Sequence, residues 1–194
     1  CSDFLDEVNH SSQSADKYYQ TKGGYESLIV GCYSNLKNIY NTTTYQIFTQ
    51  QGTDVFTQNY PTEVAAMNQY TTTYQSNNGT IYAMWSSYFN ALNNVNAAID
   101  RSKSVILKTD DPDGIEPSAL TQLVAEAKAL RAWYLFEIVR NWGQGPLKIN
   151  ESKEPSYTVE YSNGAAFYQQ IFTDLEEAIS VLPWRQTGSN YGRM

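Results

Sequence analysis

The 194-residue sequence has little of what nucleophilic catalysis, metal binding and nucleic-acid binding require. It contains one histidine, His10, and two cysteines, so it offers no Ser-His or Cys-His pair and no zinc-ligand spacing. Its 13 basic and 20 acidic residues give a net charge of −7, which argues against a nucleic-acid partner. It also has no apolar run long enough to span a bilayer. We therefore expect no enzyme, no metal and no cofactor.

Tyrosine is what the sequence has in excess. There are 16 tyrosines, Asn and Gln are abundant, and charged residues make up only 17% of the chain. Such a surface presents flat apolar faces and neutral hydrogen-bonding groups. This composition suits uncharged polar ligands such as sugars, although tyrosine is also enriched at protein interfaces.

The periodicity of the apolar residues predicts a mostly α-helical chain. Helices are expected over about 22–40, 80–106, 117–142 and 164–182, with a short helix near 45–51. The rest of 41–79 is expected to be irregular. The helices at 80–106 and 117–142 resemble a tetratricopeptide hairpin, although no clean 34-residue period runs through the sequence. Cys32 falls on the apolar stripe of the first long helix and is expected to be a buried small hydrophobe.

Residues 126–147 carry the most informative pattern. Glu126 opens a stretch of small residues, Arg131 follows, four bulky residues run from Trp133 to Phe136, and a Gly-Gln-Gly-Pro-Leu turn begins at Gly143. Four consecutive bulky residues cover most of a helix circumference. We therefore expect this helix to be packed on more than one side, with Trp133 and Phe136 buried.

This pattern resembles the signature of the SusD/RagB-like family of outer-membrane nutrient-binding lipoproteins. The opening Cys1-Ser2-Asp3-Phe4-Leu5-Asp6 is similar to the mature start of such lipoproteins. A later helix fits the family's Tyr-x-x-Ile-x-x-Asp-Leu-x-x-Ala-x-x-x-Leu-Pro pattern at Tyr168, Ile171, Asp174, Leu175, Ala178, Leu182 and Pro183. Members of the family are much longer, so we expect this chain to be the N-terminal portion of a larger protein.

The resemblance implies tetratricopeptide-like helical hairpins with long irregular loops, as the N-terminal part of a SusD-like fold. Residues 1–20 would be a lipid-anchored leash and residues 21–194 the helical region. Acyl chains on Cys1 would hold the protein on the surface of a Gram-negative outer membrane. The implied function is to bind a nutrient oligosaccharide and deliver it to a SusC-like TonB-dependent transporter, for which the protein would be the hinged lid.

The expected ligand-binding residues lie in the irregular region after the first long helix. Sugars stack their CH faces on aromatic rings and pair their hydroxyls with Asp, Asn and Gln side chains. The candidates are Asp54, Phe56, Asn59, Tyr60, Tyr70 and Tyr74. The alternative for each aromatic residue is that it only attaches the loop to the scaffold.

Three other functions stay open at this point. The same architecture would serve to bind oligopeptides, or it would be a protein–protein scaffold without a ligand of its own. A surface glycosidase would need two facing carboxylates. Asp174 and Glu177 form a carboxylate pair on the last predicted helix, but their helical spacing favours a solvated face. The Asp110, Asp111 and Asp113 cluster lacks the rest of a calcium-loop pattern and is expected to be a plain turn.

Overall fold

The computed structural model describes residues 15–57, 63–71, 75–154 and 158–193. The α-helices in these residues are α1 (Ala15–Tyr18), α2 (Lys22–Tyr40), α3 (Thr43–Gln50), α4 (Glu63–Gln69), α5 (Gly79–Arg101), α6 (Pro117–Trp142) and α7 (Gly164–Val181). Short 3-10 helices follow at Ser102–Ser104 and Gly188–Asn190. None of the described helices is both long enough and apolar enough to cross a membrane. The prediction of a mostly α-helical, tetratricopeptide-like fold is confirmed.

Side-chain caps explain where the long helices begin. The Thr21 hydroxyl accepts a hydrogen bond from the Gly24 backbone N–H at 3.1 Å, so Thr21 caps α2 and the helix starts at Lys22. Asn78 and Asn163 cap α5 and α7 in the same way. Helix α6 starts with Pro117, whose missing N–H costs nothing at the first helical position. These signals are local, and the predicted starts of the four long helices agree with them to within one residue.

Two expectations about helix extent were wrong. The helix predicted over 80–106 ends at Arg101 and tightens into the 3-10 turn Ser102–Ser104. Within the region expected to be irregular, residues 63–69 form α4, where Ala65, Ala66 and Met67 are buried. The pattern of α4 was missed because seven residues are too few to establish a helical period.

The core lies where α2, α5, α6 and α7 meet. Its large buried side chains include Tyr25 and Ile29 from α2, Tyr88 and Leu92 from α5, Leu130, Tyr134, Leu135 and Ile138 from α6, and Phe167 from α7. Small residues let the helices approach closely, because Ala127, Ala129 and Ala132 are all buried. Cys32 is a free, buried thiol as expected, and burial raises its pKa to about 12.

The end of the predicted leash packs against the helical body. Residues 15–18 form α1 rather than an extended segment, and the Asp16 carboxylate accepts a hydrogen bond from Arg101 at 2.6 Å. The Arg101 guanidinium also lies over the Tyr19 ring at 5.3 Å. The first 14 residues of the predicted leash, Cys1 included, lie outside the described residues.

The signature helix α6 is packed on several sides, as expected, but Trp133 and Phe136 are covered only in part. Trp133 is 39% exposed and Phe136 is half-buried, so the expectation that both are buried was wrong. The Trp133 indole N–H donates to the Tyr40 hydroxyl at 2.7 Å, and the Arg140 guanidinium covers the Phe136 ring at 5.6 Å. Four consecutive residues in a helix cannot all face the core. Tyr134 and Leu135 are fully buried, whereas Trp133 is exposed and Phe136 packs against the core with only part of its surface.

The carboxylate of Asp174 is buried, which corrects the expectation of a solvated Asp174–Glu177 pair. Arg131 on α6 donates two hydrogen bonds to it, from Nε at 2.7 Å and Nη2 at 2.6 Å. Gln170 adds a third at 3.0 Å. Glu177 is exposed and forms a surface ion pair with Lys128. The two acids differ because Asp174 lies opposite Arg131 in the buried contact with α6, whereas Glu177 lies opposite Lys128 with half of its side chain exposed.

Candidate ligand-binding site

A cleft of about 690 Å³ lies where the start of α5 meets the end of α6. The side chains lining it are Phe48, Ser76, Ile81, Tyr82, Trp85, Asn141, Trp142 and Tyr161. Five of these eight are aromatic, and among the described residues none that lines the cleft is charged. A concave surface with several aromatic faces and a few neutral polar groups is typical of small-ligand sites.

Two tryptophans form the floor of this aromatic cleft. The Trp85 and Trp142 rings meet edge to face, with centroids 5.0 Å apart and planes at 88°. Phe48 of α3 stacks on Trp142 with centroids 5.7 Å apart and planes at 25°. Edge-to-face and stacked pairs add stability beyond their buried area. The floor is therefore held in place before any ligand arrives.

The Gly-Pro turn after α6 positions one wall of the cleft. Gly143 ends the helix with a φ of 74°, a left-handed conformation that favours glycine, and its N–H donates to the Val139 carbonyl at 2.8 Å. Two residues later, Gly145 pairs with Ser162 through two backbone hydrogen bonds of 3.2 and 2.7 Å. This antiparallel bridge holds the segment with Tyr161 next to the turn, and Tyr161 and Trp142 both line the cleft. The signature turn is therefore part of the framework of the cleft.

Gly145 also lets the turn approach α5 closely. A Cβ atom there would lie 3.4 Å from Cη2 of Trp85, at the close limit of ordinary contact. A larger side chain would press on the floor of the cleft.

The opposite wall comes from the first turns of α5. Asn78 accepts hydrogen bonds from the N–H groups of Thr80 and Ile81 at 2.9 and 3.3 Å, which sets the start of the helix. Tyr82 and Trp85 are three residues apart and therefore share a face of α5. Tyr82 is 69% exposed and Tyr161 is 63% exposed. These two rings flank the opening of the cleft with much of their surface available to a ligand.

The polar groups of the cleft are neutral. The Asn141 amide nitrogen donates to the Glu137 carbonyl at 2.7 Å, and the amide oxygen stays available as an acceptor. Behind the floor, burial raises the pKa of Tyr88 above its ordinary value, so its hydroxyl remains protonated and donates to Glu137 at 3.0 Å. Among hydrogen bonds between described residues, none engages the hydroxyls of Tyr82 or Tyr161. These groups suit ligand hydroxyls.

The loop expected to bind ligand is exposed where the structure describes it. The side chains of Asp54, Phe56 and Tyr70 are all exposed, Phe56 by 50% and Tyr70 by 68%. The Tyr70 hydroxyl donates to the Gly52 carbonyl at 2.9 Å, which links the two parts of this loop. Tyr70 also has a φ of 52°, unusual for a residue other than glycine. Because α3 ends at Gln50, this loop follows directly from the helix that supplies Phe48 to the cleft.

The other predicted binding residues lie outside the described part of the chain. These are Asn59, Tyr60 and Tyr74, as well as the proposed lipidation site Cys1. The structure does not test their roles, and all the predicted site residues stay predictions.

The cleft is not evident from the sequence. Trp85 and Trp142 lie within the helices predicted over 80–106 and 117–142, where an aromatic residue is equally well explained by helix packing. Tyr82 and Tyr161 stand outside any periodic pattern, and the four elements that meet here are far apart in sequence. The one available signal was Tyr82, an exposed aromatic residue in the first turn of α5, three residues before Trp85.

The buried carboxylates have structural partners. Glu126 accepts from Tyr33 and from Arg193, both at 2.8 Å, and not from Arg131 on its own helix. Glu137 pairs with Arg140 at 2.7 Å. Within the described ranges, no group of three or more His, Cys, Asp or Glu side chains is arranged to hold a metal ion. The buried carboxylates Glu126, Glu137 and Asp174 are therefore each paired within the scaffold.

Comparison with known families assigns the chain. Residues 3–191 match the SusD-like family described as "Starch-binding associating with outer membrane". The chain belongs to the SusD-like family. This confirms the resemblance inferred from the signature helix and from the Tyr168–Pro183 pattern.

Individual relatives agree with this assignment. The SusD-like chain is 26% identical over 154 residues to SusD-like protein P25 of Formosa agariphila, an alignment that covers 75% of this chain and 28% of that protein. Its fold matches a laminarin-binding SusD-like protein with a TM-score of 0.75 at 21% identity, covering 91% of this chain and 37% of the other. A SusD superfamily protein from Bacteroides vulgatus gives 0.72 at 21% identity, covering 88% and 36%.

The SusD-like chain therefore spans only about a third of the length of these relatives. The structural matches are below 25% identity and establish the fold. The family's description names binding rather than a reaction.

Proposed function

We propose that this SusD-like protein binds a nutrient glycan at the outer surface of the bacterial outer membrane and delivers it to a partner TonB-dependent transporter. The observation that carries the proposal is the aromatic cleft, in which exposed Tyr82 and Tyr161 flank a floor of Trp85 and Trp142. The protein breaks no bond; it supplies affinity.

The chemistry of the cleft fits a sugar chain. The CH faces of a pyranose ring stack on aromatic planes, and the ring hydroxyls bond to neutral groups such as the Asn141 oxygen. The loop with Asp54, Phe56 and Tyr70, together with Asn59, Tyr60 and Tyr74, extends the ligand-binding surface. A glycan with several units would contact both regions, since α3 leads from Phe48 into this loop.

Family membership supports three further parts of the proposal, namely delivery, the lid role and membrane anchoring. The SusC-like transporter is the partner, and acyl chains on Cys1 hold the protein at the cell surface. Two or more chains anchor a protein stably where a single chain is marginal, because each buried CH₂ contributes about 0.8 kcal/mol.

The first test of the cleft is glycan affinity. We expect Tyr82→Ala and Tyr161→Ala each to weaken binding by about 1 kcal/mol, roughly five-fold in Kd, because each removes one stacking surface. The measurement is isothermal titration calorimetry of the complete protein with laminari-, malto- and cello-oligosaccharides. Tyr168→Ala is the matched control, since Tyr168 is 41% exposed on α7 and does not line the cleft.

The same titration separates the cleft from the loop and glycans from peptides. Tyr70→Ala tests the loop without altering the cleft. Unchanged affinity for both cleft variants, with a loss for Tyr70→Ala, would move the site into the loop. Saturable heat with an oligopeptide panel and none with the glycans would replace the proposed ligand class.

The anchoring proposal has its own test. We expect protein isolated from native membranes to have an intact mass above that of the polypeptide by the mass of the acyl chains on Cys1. Mass spectrometry of the N-terminal peptide locates the addition. An N-terminal Cys1 without lipid in that preparation would contradict the anchoring.

A further inference from the structure

The charge of the cleft defines which glycans it accepts. We infer that the cleft selects neutral glycans and rejects anionic ones, such as those rich in uronic acid or sulfate. This inference rests on the proposed function and adds the substrate class.

All 13 lysines and arginines of this chain lie in the described residues, and none of them lines the cleft. The residues outside the described ranges contain no lysine or arginine, so they bring none to the cleft. The segments 58–62, 72–74 and 155–157 have the sequences QNYPT, TTY and PSY, without a charged side chain. Residues 1–14 add three carboxylates and His10.

The arginine nearest to the cleft in sequence is already engaged. Arg140 is two residues from Trp142, which places it about 200° away around the helix. Its Nη2 donates to Glu137 at 2.7 Å, and its guanidinium lies over Phe136. Neither partner lines the cleft. On the opposite wall, the neighbour of Tyr161 is Glu160, an exposed residue that adds negative charge near the opening.

An anionic sugar would regain only part of its lost hydration, because the donors in the lining are neutral hydroxyl and amide groups. A carboxylate or sulfate that enters an aromatic cleft loses water, and without a cation this loss is only partly compensated. The acidic excess of this chain, with a net charge of −7, also disfavours anions near these residues at longer range. A neutral sugar avoids both costs and keeps its stacking contacts. We expect a carboxylated glycan to bind at least about ten-fold more weakly than its neutral parent.

The experiment compares matched ligands. Laminari-, malto- and cello-oligosaccharides are titrated into the complete protein, each beside its C6-oxidised derivative, so that the two ligands differ in charge and share the glycan backbone. The titrations are repeated between about 20 mM and about 500 mM NaCl. If no cation lines the cleft, salt should strengthen any residual binding of the anionic ligand, because it screens the repulsion. If the cleft were basic, salt should weaken that binding, because it would screen an attraction.

A variant adds the missing cation. Ser76→Lys places a positive charge in the lining at an exposed position, and we expect it to narrow the neutral-to-anionic affinity ratio by about two- to five-fold. Ser180→Lys, on an exposed position of α7, makes the same charge change away from the cleft and should leave the ratio unchanged.

The outcomes separate the two claims. A neutral preference of ten-fold or more that Ser76→Lys narrows, and that Ser180→Lys does not, supports the inference. Equal or tighter binding of the oxidised ligands overturns the inference and leaves the proposed function standing. An equal effect of the two lysine variants on the affinity ratio has the same consequence. No saturable binding of any glycan, neutral or oxidised, overturns the proposed function and the inference with it.

Discussion

Asp174→Ala is expected to lower the free energy of unfolding by about 3–5 kcal/mol, because it leaves the Arg131 guanidinium buried without its counter-charge. Arg131 is only 8% exposed at its side chain and Asp174 only 1%. The remaining Arg131 contacts, to the Ile149 carbonyl at 2.9 Å and to Asn96 at 3.4 Å, involve neutral groups and do not replace a carboxylate. Urea denaturation of the purified protein, followed by circular dichroism, measures the change.

Glu177→Ala is the matched control for this prediction. Glu177 lies one turn further along α7 and pairs with Lys128, but its side chain is 50% exposed. Exposed ion pairs contribute about 0–1 kcal/mol, so we expect little change. Equal losses for the two variants would mean that Asp174 is no more important than a surface acid. The double replacement Arg131→Met with Asp174→Leu should recover much of the loss, because it removes both buried charges.

The second large effect is expected from Phe167→Ala, which should cost about 3–5 kcal/mol of unfolding free energy. Phe167 is completely buried in the core between α7 and its neighbours, so truncation removes transfer energy and leaves a cavity. Its ring is also the neighbour of Gly145, where an added Cβ would lie 3.9 Å from Cζ of Phe167. The variant should therefore loosen the signature turn that frames the cleft. Thermal unfolding and the urea midpoint measure the stability loss.

Phe172→Ala provides the comparison on the same helix. Phe172 is 59% exposed and packs mainly against the Tyr168 ring, with centroids 6.3 Å apart. Its loss should change stability by well under about 1 kcal/mol, as expected for a surface position. If both variants unfolded at the same urea concentration, the position of α7 in the core would be wrong.

Much of the fold could be predicted because its signals are local. The apolar stripes of α2 and α5, the Pro117 start of α6 and the glycine stop at Gly143 each lie within a few residues of the feature they specify. The family assignment also followed from contiguous segments. The short helix α4 escaped because its evidence is spread over too few residues.

The candidate site could be predicted only in part. Asp54, Phe56 and Tyr70 were chosen for residue type in an irregular region, and their exposure agrees with a binding role that still has to be tested. The cleft could not be found in this way. Each aromatic residue of the cleft is explained equally well by its own helix or loop. No local pattern indicates that Tyr161 and Trp142 line the same cleft.

Local sequence pattern was therefore sufficient for the four long helices and their starts, the buried Cys32 and the family, since hydrogen bonding and capping act over three or four residues. Packing between distant segments decided the rest. It buried Asp174 opposite Arg131, left Trp133 partly exposed beside Tyr40, and joined α3, α5, α6 and residue 161 into one uncharged cleft. Those outcomes depend on which side chains from separate helices come to face each other, and periodicity along one helix contains no information about its neighbour.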